Sequence, residues 1–309
     1  MPFYLTGDDG SKSFYAKTNF IPSLGSIMEI SSVGVLGSGQ MGNGIAQVVA
    51  SSDIKVTLLD LNTEFLERGL LSIQNSLNKL ASKQKISEQE VKATLSNISI
   101  STEFSSISGC DLVIEAIPEI PELKFKTFSE LDEICKDKTI LATNTSSISI
   151  NEIAKCTSRP ERVIGMHFMN PVPIMKLVEI INGNSTSSEV SEAIVSLTEK
   201  LGKIPLSCND SPGFVSNRIL CPMINEAIFT LQEGVADPEA IDGIMKLGMN
   251  HPIGPLALAD LIGLDTILNI MRVLHEGFND DKYAPASLLI KMVAENKLGR
   301  KTGIGFYKY

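Results

Sequence analysis

The chain has 309 residues, 43% apolar and 20% charged, which is enough for two domains around a sizeable core and too apolar for a disordered protein. Its 27 basic and 36 acidic residues leave a net charge of −9, which gives no electrostatic footprint for nucleic acid or an anionic membrane. The five cysteines (Cys110, Cys135, Cys156, Cys208, Cys221) are odd in number and widely spaced. That pattern argues against a disulfide framework or a zinc site and for a reducing intracellular compartment, the cytoplasm first, with a mitochondrial or peroxisomal matrix as alternatives. No run reaches the roughly 18 consecutive apolar residues of a membrane helix.

Residues 1–27 are rich in Gly, Ser, Lys and Asp, lack periodic hydrophobicity, and read as a poorly ordered extension outside the fold. They contain no Arg and carry Asp8-Asp9, unlike a mitochondrial transit peptide. From residue 30 strands and helices alternate. Residues 33–36 form a short apolar strand, the segment to Ala50 a helix, and residues 55–60 a second strand. This βαβ pattern implies a right-handed crossover and a parallel sheet. Residues 62–83 then place apolar side chains at Phe65, Leu66, Leu70, Ile73, Leu77 and Leu80, a helical spacing. A second helical piece runs to about Leu95, and the pair is longer than a crossover needs, which suggests an arm over a cleft. Further strands are expected at 98–100, 112–117, 139–142, 163–168 and 177–181, with helices between most of them. Strand signals stop after Asp210. Four helices follow, at 214–233, 238–247, 255–274 and 286–296, and then a Gly-punctuated tail whose aromatic end packs back on the body. The expected architecture is α/β: a doubly wound, mainly parallel sheet with an inserted helical arm over residues 28–211, then an all-α domain over 212–309.

Gly37-Ser38-Gly39-Gln40-Met41-Gly42 follows the first strand directly and opens a helix. Glycines there permit a tight turn and close approach of backbone N–H groups to a pyrophosphate, with the helix N-terminus favouring the anion. Asp60 lies 18 residues beyond Gly42, at the end of the second strand, where a ribose-binding carboxylate is expected. The combination points to a Rossmann-type dinucleotide site. An acid at that position favours NAD over NADP, because a 2′-phosphate would meet a like charge.

Glu115-Ala-Ile-Pro-Glu119 ends another strand at the carboxyl edge of the sheet, where open α/β folds bind ligands. Lys124 could neutralise cofactor charge or be an ordinary surface lysine. Asn144-Thr-Ser146-Ser147 gathers hydrogen-bonding side chains at the same edge, although a helix N-cap would explain one of them. His167 and Glu179 sit in apolar strand-like runs. A charge taken out of water is costly unless paired, so the two face each other or a ligand, or else are a satisfied core histidine and an edge-strand glutamate. His251 and His275 fall in loop or surface context. Asn217 reaches toward the cleft and Arg218 suits a structural salt bridge. No cluster has metal-ligand spacing.

From about residue 30 to 309 the chain resembles the L-3-hydroxyacyl-CoA dehydrogenases, in particular the 3-hydroxybutyryl-CoA dehydrogenase type. The resemblance rests on the glycine motif at 37–42, Asn144-Thr-Ser-Ser147, His167-Phe-Met-Asn-Pro-Val-Pro-Ile-Met-Lys-Leu-Val-Glu179, Asp210-Ser-Pro-Gly-Phe-Val-Ser-Asn-Arg218 and Gly299-Arg-Lys-Thr-Gly-Ile-Gly-Phe-Tyr307. It implies His167 as catalytic base, Glu179 as the carboxylate that orients it, and Ser146 and Asn217 as groups holding the reacting oxygen and the neighbouring acyl carbonyl. It implies residues 37–42, Asp60, Glu119, Lys124, Ser146, Asn170 and Lys301 around NAD. Ser76, Lys83 and Ser146 are implied on the acyl-CoA side, which makes the helical arm a CoA-binding arm, and the helical domain would make a homodimer. Two competing readings are a related dehydrogenase acting on a free acid such as gulonate, and a non-catalytic dinucleotide-binding or structural protein.

Overall fold

The computed structural model describes residues 28–309, so the expected extension, residues 1–27, lies outside the described residues. The first strand, β1 (Ser32–Leu36), leads through a glycine turn into α1 (Gln40–Ala50) and returns as β2 (Lys55–Leu59). The long pair α2 (Thr63–Ser82) and α3 (Glu88–Ser96) then precedes β3 (Ile98–Ser101). Asn62 starts α2 by accepting the Phe65 N–H, and Ser87 with Glu90 forms a reciprocal capping box that starts α3. Apolar residues at helical spacing (Leu66, Ile73, Leu77 and, from α3, Val91) bury this arm against α1 and the sheet.

β4 (Leu112–Glu115), α4 (Pro121–Ile134), β5 (Ile140–Thr143), the short α5 (Ile150–Ala154) and β6 (Val163–Phe168) continue the winding. β7 (Leu177–Asn182), α6 (Ser188–Lys200) and β8 (Ile204–Asn209) complete an eight-stranded sheet in the order β3-β2-β1-β4-β5-β6-β7-β8. Strands β1 to β6 are parallel, β7 runs antiparallel to β6, and β8 is parallel to β7. The central strands β4, β5 and β6 are buried along their whole length, as expected of strands covered on both faces. α1, α2, α3 and α6 share one core face, and α4 and α5 the other.

The second domain is α-helical: α7 (Ser216–Gln232), α8 (Pro238–Gly248), α9 (Pro255–Ile262), α10 (Leu264–Phe278) and α11 (Ser287–Ala294) around their own core. The helix expected over 255–274 is in fact two, because Gly263 adopts φ +106° between them. A side chain there would also collide with Lys301, whose Cε would lie 2.3 Å from an added Cβ. The tail packs back as expected. The Phe306 and Tyr307 N–H groups donate to the buried Asp260 at 3.0 and 2.9 Å, and the Tyr307 hydroxyl donates to Asp242 at 2.8 Å. Among the described residues Arg218 forms no salt bridge. Its guanidinium lies 4.4 Å over the Phe278 ring instead, a cation–π contact within the helical domain. Among the described residues no helix is long and apolar enough to cross a membrane.

Candidate active site

The antiparallel register of β6 and β7 sets His167 directly opposite Glu179. Opposed residues of such a pair share a face at short Cβ separation, so their side chains meet: His167 Nδ1 lies 2.8 Å from Glu179 Oε2. Both residues are buried, at 8% and 4% exposure, so neither stands as an isolated edge group. The same carboxylate receives the start of the helical domain. Ser216 Oγ donates to Oε2 at 2.7 Å, and the Ser216 and Val215 N–H groups donate to Oε1 at 3.0 and 3.3 Å. Glu179 therefore accepts the orphan donors at the N-terminus of α7 while orienting the histidine. Burial works to raise its pKa, but hydrogen bonds from His167 and Ser216 and the charge of His167 outweigh it and hold the carboxyl below its usual range. With a carboxylate at Nδ1 that nitrogen carries the proton, which leaves the lone pair on Nε2. Phe214, buried at φ +51°, places its ring 6.0 Å from the imidazole, centroid to centroid.

A second network fixes the loop after β5. Glu115, wholly buried at the end of β4, accepts from the Lys124 ammonium at 2.5 Å, the Ile117 N–H at 2.8 Å and the Thr143 hydroxyl at 2.7 Å. Lys124 is no surface lysine: it is 1% exposed and also pairs with Glu119 at 3.2 Å. Glu119 Oε1 in turn accepts from the Thr145 hydroxyl at 2.6 Å and from the N–H groups of Ser146 and Ser147 at 2.9 and 3.1 Å. The hydroxyls of Ser146 and Ser147 also point at Glu119, at 3.2 and 3.0 Å. Burial raises the Glu119 pKa, but the Lys124 charge and these donors overcome it and depress it. Asn217 Nδ2 donates to the Ser146 carbonyl at 3.0 Å, so this loop also touches α7. Asn144 Oδ1 accepts the Phe168 N–H at 2.9 Å, which seats the loop beside the end of the histidine strand.

The glycine loop closes the third side. A Cβ on Gly42 would fall 1.7 Å from the Gly37 carbonyl oxygen, so only glycine permits this turn, whereas one on Gly39 would meet nothing within 4 Å. Asp60 accepts the N–H and the hydroxyl of Ser38, both at 2.6 Å. A cleft of about 1020 Å³ lies here, lined by Gly37, Ser38, Gly39, Gln40 and Met41 on one side and by Asp60, Phe65 and Arg68 on another. Open space over Gly39, an acid at the end of β2 and the start of α1 fit the pyrophosphate and ribose of NAD. Gln40 Nε2 donates to Asn170 Oδ1 at 3.2 Å, which connects the glycine loop to the β6–β7 connection.

Not every expected residue joins this constellation. Ser76 is half-buried on α2 and Lys83 exposed at its end, seven residues apart, and neither bonds to the residues above. Lys301 pairs with Asp265 at 2.5 Å inside the helical domain. Conversely, Ser216 takes part although the sequence reading assigned it no role, and Glu115, expected only at the ligand-binding edge of the sheet, anchors the Lys124–Glu119 network. The available signals were a serine opening a helix right after a breaker, and an acid inside a strand otherwise apolar.

A doubly wound sheet with a phosphate-cradling glycine turn, a buried His–Glu pair at its carboxyl edge and a helical domain capping that pair define a two-domain, NAD-dependent dehydrogenase. Residues 32–211 match the family model described as the 3-hydroxyacyl-CoA dehydrogenase NAD binding domain, and residues 213–309 match the C-terminal domain of the same family. The chain belongs to the 3-hydroxyacyl-CoA dehydrogenase family. It is 57% identical over 276 residues to a probable 3-hydroxybutyryl-CoA dehydrogenase of Deinococcus radiodurans, covering 89% of this chain and 99% of that protein. It is 45% identical to the human mitochondrial hydroxyacyl-coenzyme A dehydrogenase, over 90% of each chain. The crystal structure of (S)-3-hydroxybutyryl-CoA dehydrogenase from Ralstonia eutropha superposes with a TM-score of 0.89 at 50% identity, covering 91% of this chain and 99% of that one.

The depressed Glu119 carboxyl gives a signed pH prediction. A group whose pKa is lowered on folding stabilises above its unfolded pKa, and that contribution disappears as pH falls through the folded value. The Tm gap between wild type and Glu119→Gln should therefore be open at neutral pH and close as pH drops below about 4. A gap that widens on acidification contradicts the assignment.

Proposed function

We propose that the protein interconverts a (3S)-3-hydroxyacyl-CoA and the corresponding 3-oxoacyl-CoA with NAD as hydride carrier, on short-chain substrates such as 3-hydroxybutanoyl-CoA. The His167–Glu179 contact carries this reading. A secondary alcohol gives up hydride only as its hydroxyl proton leaves, and a neutral imidazole with its lone pair on Nε2 can take that proton. Glu179 holds the tautomer and stabilises the imidazolium that forms, much as a buried carboxylate does behind a catalytic histidine elsewhere. In the reverse direction the imidazolium donates to the ketone. NAD, when bound, supplies the hydride acceptor. Gly37 to Gly42 and Asp60 would hold its pyrophosphate and ribose, with Glu119 and Asn170 beside them; Lys124, buried on Glu115 and Glu119, would act through Glu119, and Lys301 would reach the cofactor only by leaving Asp265. Ser146 and Asn217, already joined across the domains, would hold the reacting oxygen and the acyl carbonyl. Ser76 on α2 and Lys83 at its C-terminal cap would contact the CoA portion.

The helical domain also supplies the surface for a homodimer. Val235, Ile244, Leu247 and Met249 are 70%, 60%, 91% and 61% exposed, and these solvent-facing apolar side chains of the helical domain support placing the dimer contact there. Free cysteines throughout suit a reducing compartment, in first instance the cytoplasm.

With acetoacetyl-CoA and NADH, His167→Gln and Glu179→Gln should each lower kcat by about 100-fold or more while NADH affinity stays near wild type. Turnover close to wild type in either variant would remove the proton-handling role. Leu247→Asp should shift the protein from dimer to monomer in light scattering. A wild type that is monomeric at every concentration tested would refute the interface.

A further inference from the structure

Lys203 stands outside all of the networks above. It occupies the turn between α6 and β8, is 8% exposed, and has only the desolvation of burial acting on its ammonium, which lowers its pKa. Among the described residues no carboxylate pairs with it. A buried cation without a counter-ion is costly unless dipoles replace water around it. Here two carbonyls do so: Lys203 Nζ donates to the Val172 carbonyl and, at 2.6 Å, to the Met175 carbonyl. The adjacent Ile204 N–H donates to the Lys176 carbonyl at 2.8 Å.

Both carbonyls belong to the connection between β6 and β7, the segment that carries Asn170. That connection turns tightly, with the Ile174 and Met175 N–H groups both donating to the Pro171 carbonyl at 3.0 Å. Its other side rests on the cofactor helix. Val172 packs on Gly44 of α1 so closely that a Cβ there would fall 2.9 Å from the Val172 Cβ, and Gln40 reaches Asn170. The connection is thus held from α1 on one side and, on the other, by the Lys203 ammonium at Val172 and Met175 and by the Ile204 N–H at Lys176. Removing the ammonium would leave two inward-facing carbonyls without donors, and the segment would have to turn them toward water. Asn170 would move with it.

We propose that Lys203 is a positioning residue for the cofactor: it clamps the 170–176 connection so that Asn170 is presented beside the glycine loop. This rests on the NAD-dependent reading above, and the Lys203 ammonium is engaged by the Val172 and Met175 carbonyls. It acts only through the segment it holds.

The test is a double-mutant cycle on NADH dissociation constants from fluorescence titration, using Lys203→Met, Asn170→Ala and the double variant. Methionine keeps the stem and removes the charge. Lys203→Met should weaken NADH binding by about tenfold, and the double variant should bind no more weakly than Asn170→Ala alone. Lys203→Arg, which keeps the charge but moves the donors, should fall between, and it takes the place of Lys203→Met in the cycle if the methionine variant lacks native circular dichroism. Unchanged NADH affinity, or losses that multiply in the double variant as for independent sites, would overturn the clamp. A wild type that binds no NADH would instead overturn the functional reading.

Discussion

The structure depends on one carboxylate serving two masters. Glu179 lies on the sheet, opposite His167, yet the donors that saturate it come largely from the first turn of α7 in the other domain. A buried carboxylate needs such donors to remain ionised, and the exposed N–H groups of a helix start need an acceptor. Each requirement answers the other. The consequence is that histidine orientation and domain docking are a single structural fact: pulling α7 away would release Glu179 and leave the imidazole tautomer unfixed. The adjoining Gly213 and Phe214, both at positive φ, show the backbone bent to bring α7 onto the carboxylate.

The same logic repeats on the neighbouring strands. Glu115 and Lys124 form a buried pair, and breaking such a pair by removing one partner typically costs about 3–5 kcal/mol. That cost holds Glu119 in place through Lys124, and Glu119 then gathers the donors of Thr145, Ser146 and Ser147. Asn217 ties this loop to α7 as well. Two acid-centred networks thus converge on one helix terminus, which explains how groups from β4, β5, β6, β7 and α7 assemble at one edge of the sheet.

Much of this was legible in the sequence. The apolar runs marked the strands, the glycine turn with Asp60 marked the dinucleotide cleft, and two ionisable residues in apolar sequence marked the buried His167–Glu179 contact. What could not be read depended on direction or on contacts across domains. Nothing in Leu177 to Asn182 states that β7 runs antiparallel to β6, although that reversal is what sets His167 across from Glu179. Ser216 looked like any residue near a helix start until the sheet supplied its partner. Lys124 carried no mark of burial, because its partner Glu115 is nine residues earlier on a different element. The single helix expected over 255–274 failed for a local reason that the sequence did show, a glycine placed between two apolar stretches.

The central claim is that Glu179 fixes the His167 ring with the proton on Nδ1 and the lone pair on Nε2. Nitrogen-15 and proton NMR of the histidine side chains in the free protein, at a pH where the ring is neutral, reads that tautomer directly. The account predicts a protonated Nδ1 with a downfield proton and an unprotonated Nε2 for His167, with the downfield proton lost in Glu179→Gln. A neutral ring protonated at Nε2 in the wild type would contradict it.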